Sequence, residues 1–360
     1  MVRIAINGYG RIGRVAHRII LEKHSSEIEV VAINAGRSTD LTGWLYLLKY
    51  DTNYGELKGH TFSIKTPDEK PLEVTTEAEF LGWLVVDNSE IAIFADRKPE
   101  NLPWGTLRID TVIESTGAFV KHEDLMLHIK AGAKSVILSA PYKGDTPVPT
   151  YVLGVNSNPN GQDFSDSVIN NASCTTNSIS PVAKILEDNF GIEKAMMTTI
   201  HGYTSDQRLQ DGGHKDYRRA RAAAQNIVPT STGATKAAAE AIPSLKGIFN
   251  GLAIRVPVSV GSLSDFTFLL KKDTTVEELN SLFKNAEQTE EFRGIIQTTT
   301  DPIVSSDIIG NPHSSIIDLS LTQVVGGNMV KIIAWYDNEY GYANRLVEQS
   351  LLLGKSAQIA

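Results

Sequence analysis

Residues 2–14 read VRIAINGYGRIGR, a run that begins as a β-branched strand and breaks into glycines ahead of a helical pattern. Gly8, Gly10 and Gly13 stand in G-x-G-x-x-G spacing, directly after the strand and directly before RVAHRIILEKH. Glycine at such points permits a tight turn and close backbone approach, and the N-terminus of the following helix offers N–H groups to a pyrophosphate. The spacing alone also occurs in turns that bind nothing. The flanking strand, helix and second strand, EIEVVAIN, favour the binding reading.

Outward from this loop, EIAIFAD, DTVIEST and KSVILSAP recur as short β-branched runs between helically spaced segments, which predicts parallel strands with crossover helices. Between Asp51 and Asp96 the pattern weakens, and KTPDEKPLEVTTEAEFLGW reads as a surface insertion without assigned function. After the cysteine segment, AMMTTIHGYT, GLAIRVPVSVGSLSDFTFLL and HSSIIDLSLTQVVGGNMVKIIAWYD are strand-like without a helix between every pair. The fold class expected is therefore α/β, a Rossmann-type dinucleotide-binding domain over 1–173 plus an α+β catalytic and assembly domain with a mixed or antiparallel sheet over 174–338. NRLVEQSLLLGK reads as a terminal helix ended by glycine, and the segment 339–360 is expected to pack back onto the first domain.

The single cysteine, Cys174, excludes an intrachain disulfide framework and a cysteine zinc cage, so no metal is expected. The start of the chain shows no secretory pattern and no later run has the length of a membrane span, which reads as a soluble, cytoplasmic protein. The net charge of −8 argues against a general nucleic-acid surface.

The carboxylate that holds an adenosine ribose is expected at the end of the second strand, about 20 residues past the glycine loop. Ala35 stands there instead, followed by GRSTD. Removing that carboxylate removes repulsion of a 2′-phosphate, and Arg37, Ser38 and Arg97 are candidates to hold one. NADP is favoured, with NAD or dual use as the alternative. On its own, Arg37 reads equally well as a solvated turn residue.

Residues 171–180 read NASCTTNSIS and surround Cys174 with hydroxyls and amides. Ile179, Val182, Ile185 and Leu186 predict a helix opening near Cys174, whose N–H groups, with Asn177, suit an oxyanion. A basic imidazole lowers a thiol pKa, and His201 in TTIHGYT is the candidate partner. The plain alternative is a small buried cysteine beside a structural histidine. DYRRARAAA, VPTSTGATKAA and AIRVPV supply Arg218, Arg219, Arg221, Thr232, Gly233 and Arg255, a set suited to phosphoryl oxygens; each also has a solvated or capping reading.

In order along the chain, INGYGRIGR, LLKYD, ESTGAF, NASCTTN, TTIHGYTSDQR, RRARAAAQNIVPTSTGATKA, RVPV and WYDNEYGYANR resemble the phosphorylating glyceraldehyde-3-phosphate dehydrogenases over nearly the whole length. The resemblance implies that Cys174 attacks glyceraldehyde 3-phosphate, that His201 moves the proton, and that inorganic phosphate releases 1,3-bisphosphoglycerate, in glycolysis or gluconeogenesis. It further implies that Ser173, Thr175, Thr204, Arg219, Thr232, Gly233 and Arg255 line the phosphate positions. Arg11 and Ile12 are implied at the cofactor pyrophosphate, and Thr116 and Asn338 toward the nicotinamide.

The same resemblance implies a homotetramer in which the loop SDQRLQDGGHKDYRRARAA reaches a neighbouring subunit's cofactor. Gly212 and Gly213 replace a bulky Leu-Pro pair common in NAD-preferring relatives, which again favours NADP, and Ser178 replaces a frequent second cysteine. Competing readings are an erythrose-4-phosphate dehydrogenase, a non-catalytic binding relative, and a cysteine hydrolase. Retention of Cys174 and His201 opposes the second, and the glycine loop opposes the third.

Overall fold

The structure, a computed structural model, describes residues 1–157 and 164–359. They form two compact units, one of residues 1–150, 164–171 and 343–359, the other of residues 151–157 and 172–342. Residues 151–157 thus go with the second unit although they precede the expected break, and Ala360 lies outside the described residues.

In chain order the first unit carries β1 (Val2–Asn7), β2 (Ile28–Asn34), the short pair β3 (Tyr50–Asp51) and β4 (Gly55–Glu56), then β5 (Phe62–Lys65) and β6 (Glu79–Val86). β7 (Ser89–Ala95), β8 (Thr111–Glu114), β9 (Ser135–Leu138) and β10 (Val168–Asn170) follow. Helices α1 (Arg11–Ile19), α2 (Leu41–Lys49) and α3 (His122–Lys130) lie between them. The sheet order is β10-β9-β8-β1-β2-β7-β6-β5. Pairing is parallel from β10 to β7 and antiparallel beyond it. The parallel strands are buried on both faces, which is why they read as unbroken apolar runs.

The segment expected as a surface insertion instead supplies β5 and β6, which extend this sheet. Its strand pattern is obscured by a register shift between Phe80 and Gly82. Gly82 has φ +123°, and a Cβ there would lie 2.4 Å from the Lys65 carbonyl oxygen, so the bulge requires glycine.

The second unit carries α4 (Cys174–Phe190), β11 (Ile192–Gly202), β12 (Val228–Ser231), α5 (Ala234–Ala241), β13 (Phe249–Val256) and β14 (Ser262–Leu270). α6 (Val276–Gln288), β15 (Ile296–Thr299), β16 (Ser315–Asp318), β17 (Gln323–Val325) and β18 (Met329–Tyr336) complete it. The sheet order is β12-β13-β11-β14-β18-β16-β15, with β17 on β18. It is mixed: β11 pairs β13 and β15 pairs β16 in parallel, and the remaining pairs are antiparallel. β14 shows the period of two that builds this core, burying Ser262, Ser264, Phe266, Phe268 and Leu270 while its alternate residues stay half-exposed. Each fully buried Phe here contributes about 1.5–3 kcal/mol.

Helix α7 (Tyr340–Ile359) runs on past Gly354, where the sequence suggested a stop. Gly354 serves packing instead: a Cβ there would lie 2.1 Å from Val2 Cγ1, and only glycine lets the helix close onto β1. Among the described residues no helix is long and apolar enough to cross a membrane.

Candidate active site and cofactor cradle

The loop between β1 and α1 has the shape its glycines predict. Gly8 has φ +96°, and a Cβ on it would lie 2.6 Å from Thr116 N; a Cβ on Gly13 would lie 2.3 Å from the Gly8 carbonyl oxygen. Gly10 differs, because a Cβ there meets nothing within 4 Å. It is the N-cap of α1 without a side-chain cap, so the helix presents uncapped N–H groups beside open space. This cradle fits a pyrophosphate, with Arg11 and Ile12 opening the helix. Arg11 is ion-paired with Asp51.

Three polar residues that the sequence reading passed over tie the strand ends together. Asn34 donates to Asn7 Oδ1 at 2.6 Å, Asn7 donates to Glu114, and Glu114 accepts from Thr116 N at 2.8 Å. The recurring Asn after an apolar strand, in VRIAIN and EVVAIN, was the available signal.

Beyond β2 and β7 lies a cavity of about 420 Å³ lined by Arg37, Arg97 and Lys98 together with Glu77, Glu79 and Asp96. Ala35 donates its N–H to the Phe94 carbonyl at 2.8 Å, and Ser38 Oγ accepts from Asp40 N at 3.5 Å. Lys98 joins the foreseen arginines. Glu77 and Glu79 come from the stretch to which no function was given, and they temper the positive potential of the cavity.

The thiol site is built where α4 begins and β11, β13 and β18 end. Ala172 takes φ +54°, a left-handed conformation costly for alanine, and turns the chain into the helix. Ser173 then caps α4, its Oγ accepting from Thr176 N at 3.1 Å, which leaves Cys174 at the first helical position. Cys174 Sγ lies 3.4 Å from His201 Nε2. His201 and Arg255 are register partners on the parallel strands β11 and β13, so their side chains share a face. Arg255 Nη1 reaches His201 Nδ1 at 2.6 Å. Tyr336, at the end of β18, stands edge-on to His201 with centroids 6.0 Å apart.

Burial pushes the Cys174 thiol above its ordinary value, against the Arg255 charge and the Thr175 hydroxyl and backbone N–H, which favour the thiolate. Part of the Cys174 surface stays exposed, so solvent tempers that rise. Burial, then the Arg255 charge, hold His201 down to about 3. Burial thus works against the charged form of each partner. The depression of the thiol expected from a basic imidazole is opposed here by burial, the largest influence on the sulfur. A neutral imidazole at 3.4 Å can instead accept the thiol proton as sulfur attacks.

Other expected residues divide. Thr175 Oγ1 shares a hydrogen bond with the Tyr336 hydroxyl at 2.9 Å, and Tyr336 also meets Thr199 at 2.8 Å, so the Thr175 side chain is tied into the core. Asn177 is buried and donates to the Ser173 carbonyl at 3.1 Å, away from an oxyanion role; the backbone N–H groups at the start of α4 remain for that. Arg219 is paired with Asp206 and Asp216, and Arg221 with Asp211. Thr232 Oγ1 accepts from Ala234 N at 3.2 Å, and Gly233 caps α5. Thr204 N donates to Gln207 at 3.4 Å. Asn338 Oδ1 accepts from Gly261 N at 3.1 Å and Ser262 Oγ at 2.8 Å. Arg255 alone among the foreseen cations has a buried nitrogen, Nε, without a partner.

Residues 2–122 match the family described as "Glyceraldehyde 3-phosphate dehydrogenase, NAD binding domain", and residues 173–338 match "Glyceraldehyde 3-phosphate dehydrogenase, C-terminal domain". Fold and matches together define an oxidoreductase that uses a nicotinamide dinucleotide. The chain is 48% identical over 353 residues to "Glyceraldehyde-3-phosphate dehydrogenase 2" of Streptomyces avermitilis, covering 98% of each chain. It is 47% identical over 357 residues to the glyceraldehyde-3-phosphate dehydrogenase of Streptomyces coelicolor, again 98% of each, and 48% over 359 residues to that of Mycobacterium avium, 99% of each. The chain belongs to the glyceraldehyde-3-phosphate dehydrogenase family.

Proposed function

We propose that the chain oxidises glyceraldehyde 3-phosphate with inorganic phosphate to 1,3-bisphosphoglycerate, through a covalent intermediate on Cys174. The observation that carries this is the Cys174 to His201 contact at the N-terminus of α4, beside an unpaired nitrogen of Arg255. Sulfur attacks the aldehyde carbon, the thiol proton passes to His201 Nε2, and the backbone N–H groups at the start of α4 stabilise the oxygen of the thiohemiacetal. His201 returns that proton to the thiohemiacetal oxygen, then takes it back as the carbon gives up a hydride and becomes a thioester, which phosphate cleaves. When bound, the nicotinamide dinucleotide supplies the hydride acceptor. The glycine cradle, Arg11 and Ile12 would hold its pyrophosphate, and Thr116 is the candidate toward the nicotinamide.

NADP, or both cofactors, is the favoured choice. Ala35 removes the ribose-binding acid, Arg37, Arg97 and Lys98 face one cavity, and Gly212 and Gly213 leave the loop tip slender. The assembly is read as a homotetramer, supported by the exposure of Leu209 and Tyr217 in the 205–223 loop. The setting is cytoplasmic, at the triose-phosphate step of glycolysis or gluconeogenesis.

Steady-state kcat/KM with glyceraldehyde 3-phosphate, for NAD and NADP and with and without phosphate, tests this. Phosphate-dependent turnover that prefers NADP supports the reading. Faster, phosphate-independent oxidation of erythrose 4-phosphate would replace it.

A further inference from the structure

Two neighbours make opposite demands on one nitrogen of His201. The Gly202 carbonyl oxygen lies 2.7 Å from Nδ1, and since a carbonyl only accepts, that contact requires a proton on Nδ1. Arg255 Nη1 lies 2.6 Å from the same atom, and since a guanidinium only donates, that contact requires a lone pair. A ring with one proton cannot satisfy both.

Whichever contact prevails fixes the other nitrogen, which faces Cys174 Sγ at 3.4 Å. With Arg255 on Nδ1, the proton sits on Nε2 and the ring cannot accept from the thiol. With Nδ1–H on the Gly202 carbonyl, Nε2 presents a lone pair to the thiol and is the base.

Arg255 is poorly satisfied where it stands. Its Nη1 also touches the Gly202 carbonyl at 3.2 Å, competing with the ring for that oxygen, and its Nε is buried without a partner. A phosphoryl group offers two oxygens to a guanidinium fork and is the stronger partner.

We propose that Arg255 is a positioning residue that couples phosphoryl capture to activation of His201: a phosphoryl oxygen draws the guanidinium off Nδ1, the ring proton moves from Nε2 to Nδ1, and Nε2 becomes the base. The ring neither gains nor loses a proton in the switch. When sulfur then bonds to the aldehyde carbon, the thiol proton passes to the freed Nε2. This rests on the reading of Cys174 as nucleophile and His201 as base.

The test uses the cofactor-free full chain labelled with ¹⁵N-histidine, with the His201 signals assigned by their loss in His201→Asn. Inorganic phosphate, and in a second arm glycerol 3-phosphate, is titrated against chloride of equal ionic strength. The ¹⁵N shifts should move the His201 proton from Nε2 to Nδ1, and alkylation of Cys174 by iodoacetamide should quicken by about tenfold or more, a modest share of what a positioned base contributes. The arm that acts at lower concentration identifies a phosphomonoester or free phosphate as the trigger. Arg255→Leu should show the Nδ1–H form throughout, indifferent to either anion.

An unchanged wild-type tautomer with both anions overturns the coupling, and that measurement needs no variant to fold. Alkylation as fast in His201→Asn as in wild type would instead overturn the underlying reading of His201.

Discussion

Gly10→Ala separates the cradle's binding role from its folding role. Gly10 sits at φ −74° and ψ −159°, a conformation alanine adopts freely, and a Cβ there touches nothing within 4 Å. The fold therefore loses only the difference between glycine and alanine at a helix N-cap, about 1 kcal/mol or less. The methyl group stands in the space a pyrophosphate needs to reach the N–H groups of α1. Losing one charge-assisted hydrogen bond costs about 1.5–3 kcal/mol, so NAD and NADP affinity should fall by about one to two orders of magnitude. Gly13→Ala is the contrast, since its Cβ would lie 2.3 Å from the Gly8 carbonyl oxygen and must push α1 aside, lowering both Tm and affinity. Titration calorimetry with the cofactor and thermal unfolding without it give the two readouts. Wild-type cofactor affinity in Gly10→Ala would refute the placement of the pyrophosphate at this helix.

Three further perturbations follow from the geometry. His17 and His201 are both held down to about 3 by burial, so the unfolded chain binds their protons near the ordinary value of about 6.5 and the folded chain does not. The unfolded state then gains protons first, and stability should fall as pH drops from about 6.5 toward 3, by up to about 1.4 kcal/mol per pH unit for each ring; urea midpoints flat between pH 7 and 5 would contradict this. Replacing Arg37 and Arg97 together by Ala should lower kcat/KM for NADP about tenfold or more and leave NAD within about threefold, since only NADP carries the 2′-phosphate. Ala172→Gly should unfold no earlier than wild type, because the left-handed φ of +54° costs alanine about as much as glycine's added chain entropy, whereas Ala172→Val should unfold earlier.

The parallel half of the first sheet was legible because strands buried on both faces carry continuous β-branched runs, and the glycine loop because its backbone geometry admits little else. β5 and β6 escaped because the Gly82 bulge interrupts their alternation, so the apolar residues of LGWLVV do not fall on one face by simple counting. Gly354 misled because glycine most often ends a helix, and only the nearness of Val2, from the other end of the chain, shows why it sits inside one. At the thiol site, Cys174 and His201 were visible as residue types, while their contact depends on the register of β11 with β13 and on the entry into α4. The hydroxyl of Thr175 and the guanidinium of Arg219 carry the right chemistry for an anion, and of their present partners, Tyr336 for the one and Asp206 and Asp216 for the other, Tyr336 and Asp206 come from elsewhere in the fold and are not visible in the local motif. Sequence shows what a side chain offers; its neighbours decide whether it is spent.

The most direct test is to capture the acyl group on sulfur. The enzyme is mixed with oxidised cofactor and glyceraldehyde 3-phosphate in phosphate-free buffer, quenched in acid, and mapped by mass spectrometry. The expected result is a phosphoglyceroyl thioester on Cys174 that disappears when phosphate is added before the quench, and that never forms in Cys174→Ser. Full turnover by Cys174→Ser, or turnover by the wild type with the acyl group on another residue, would contradict the covalent mechanism.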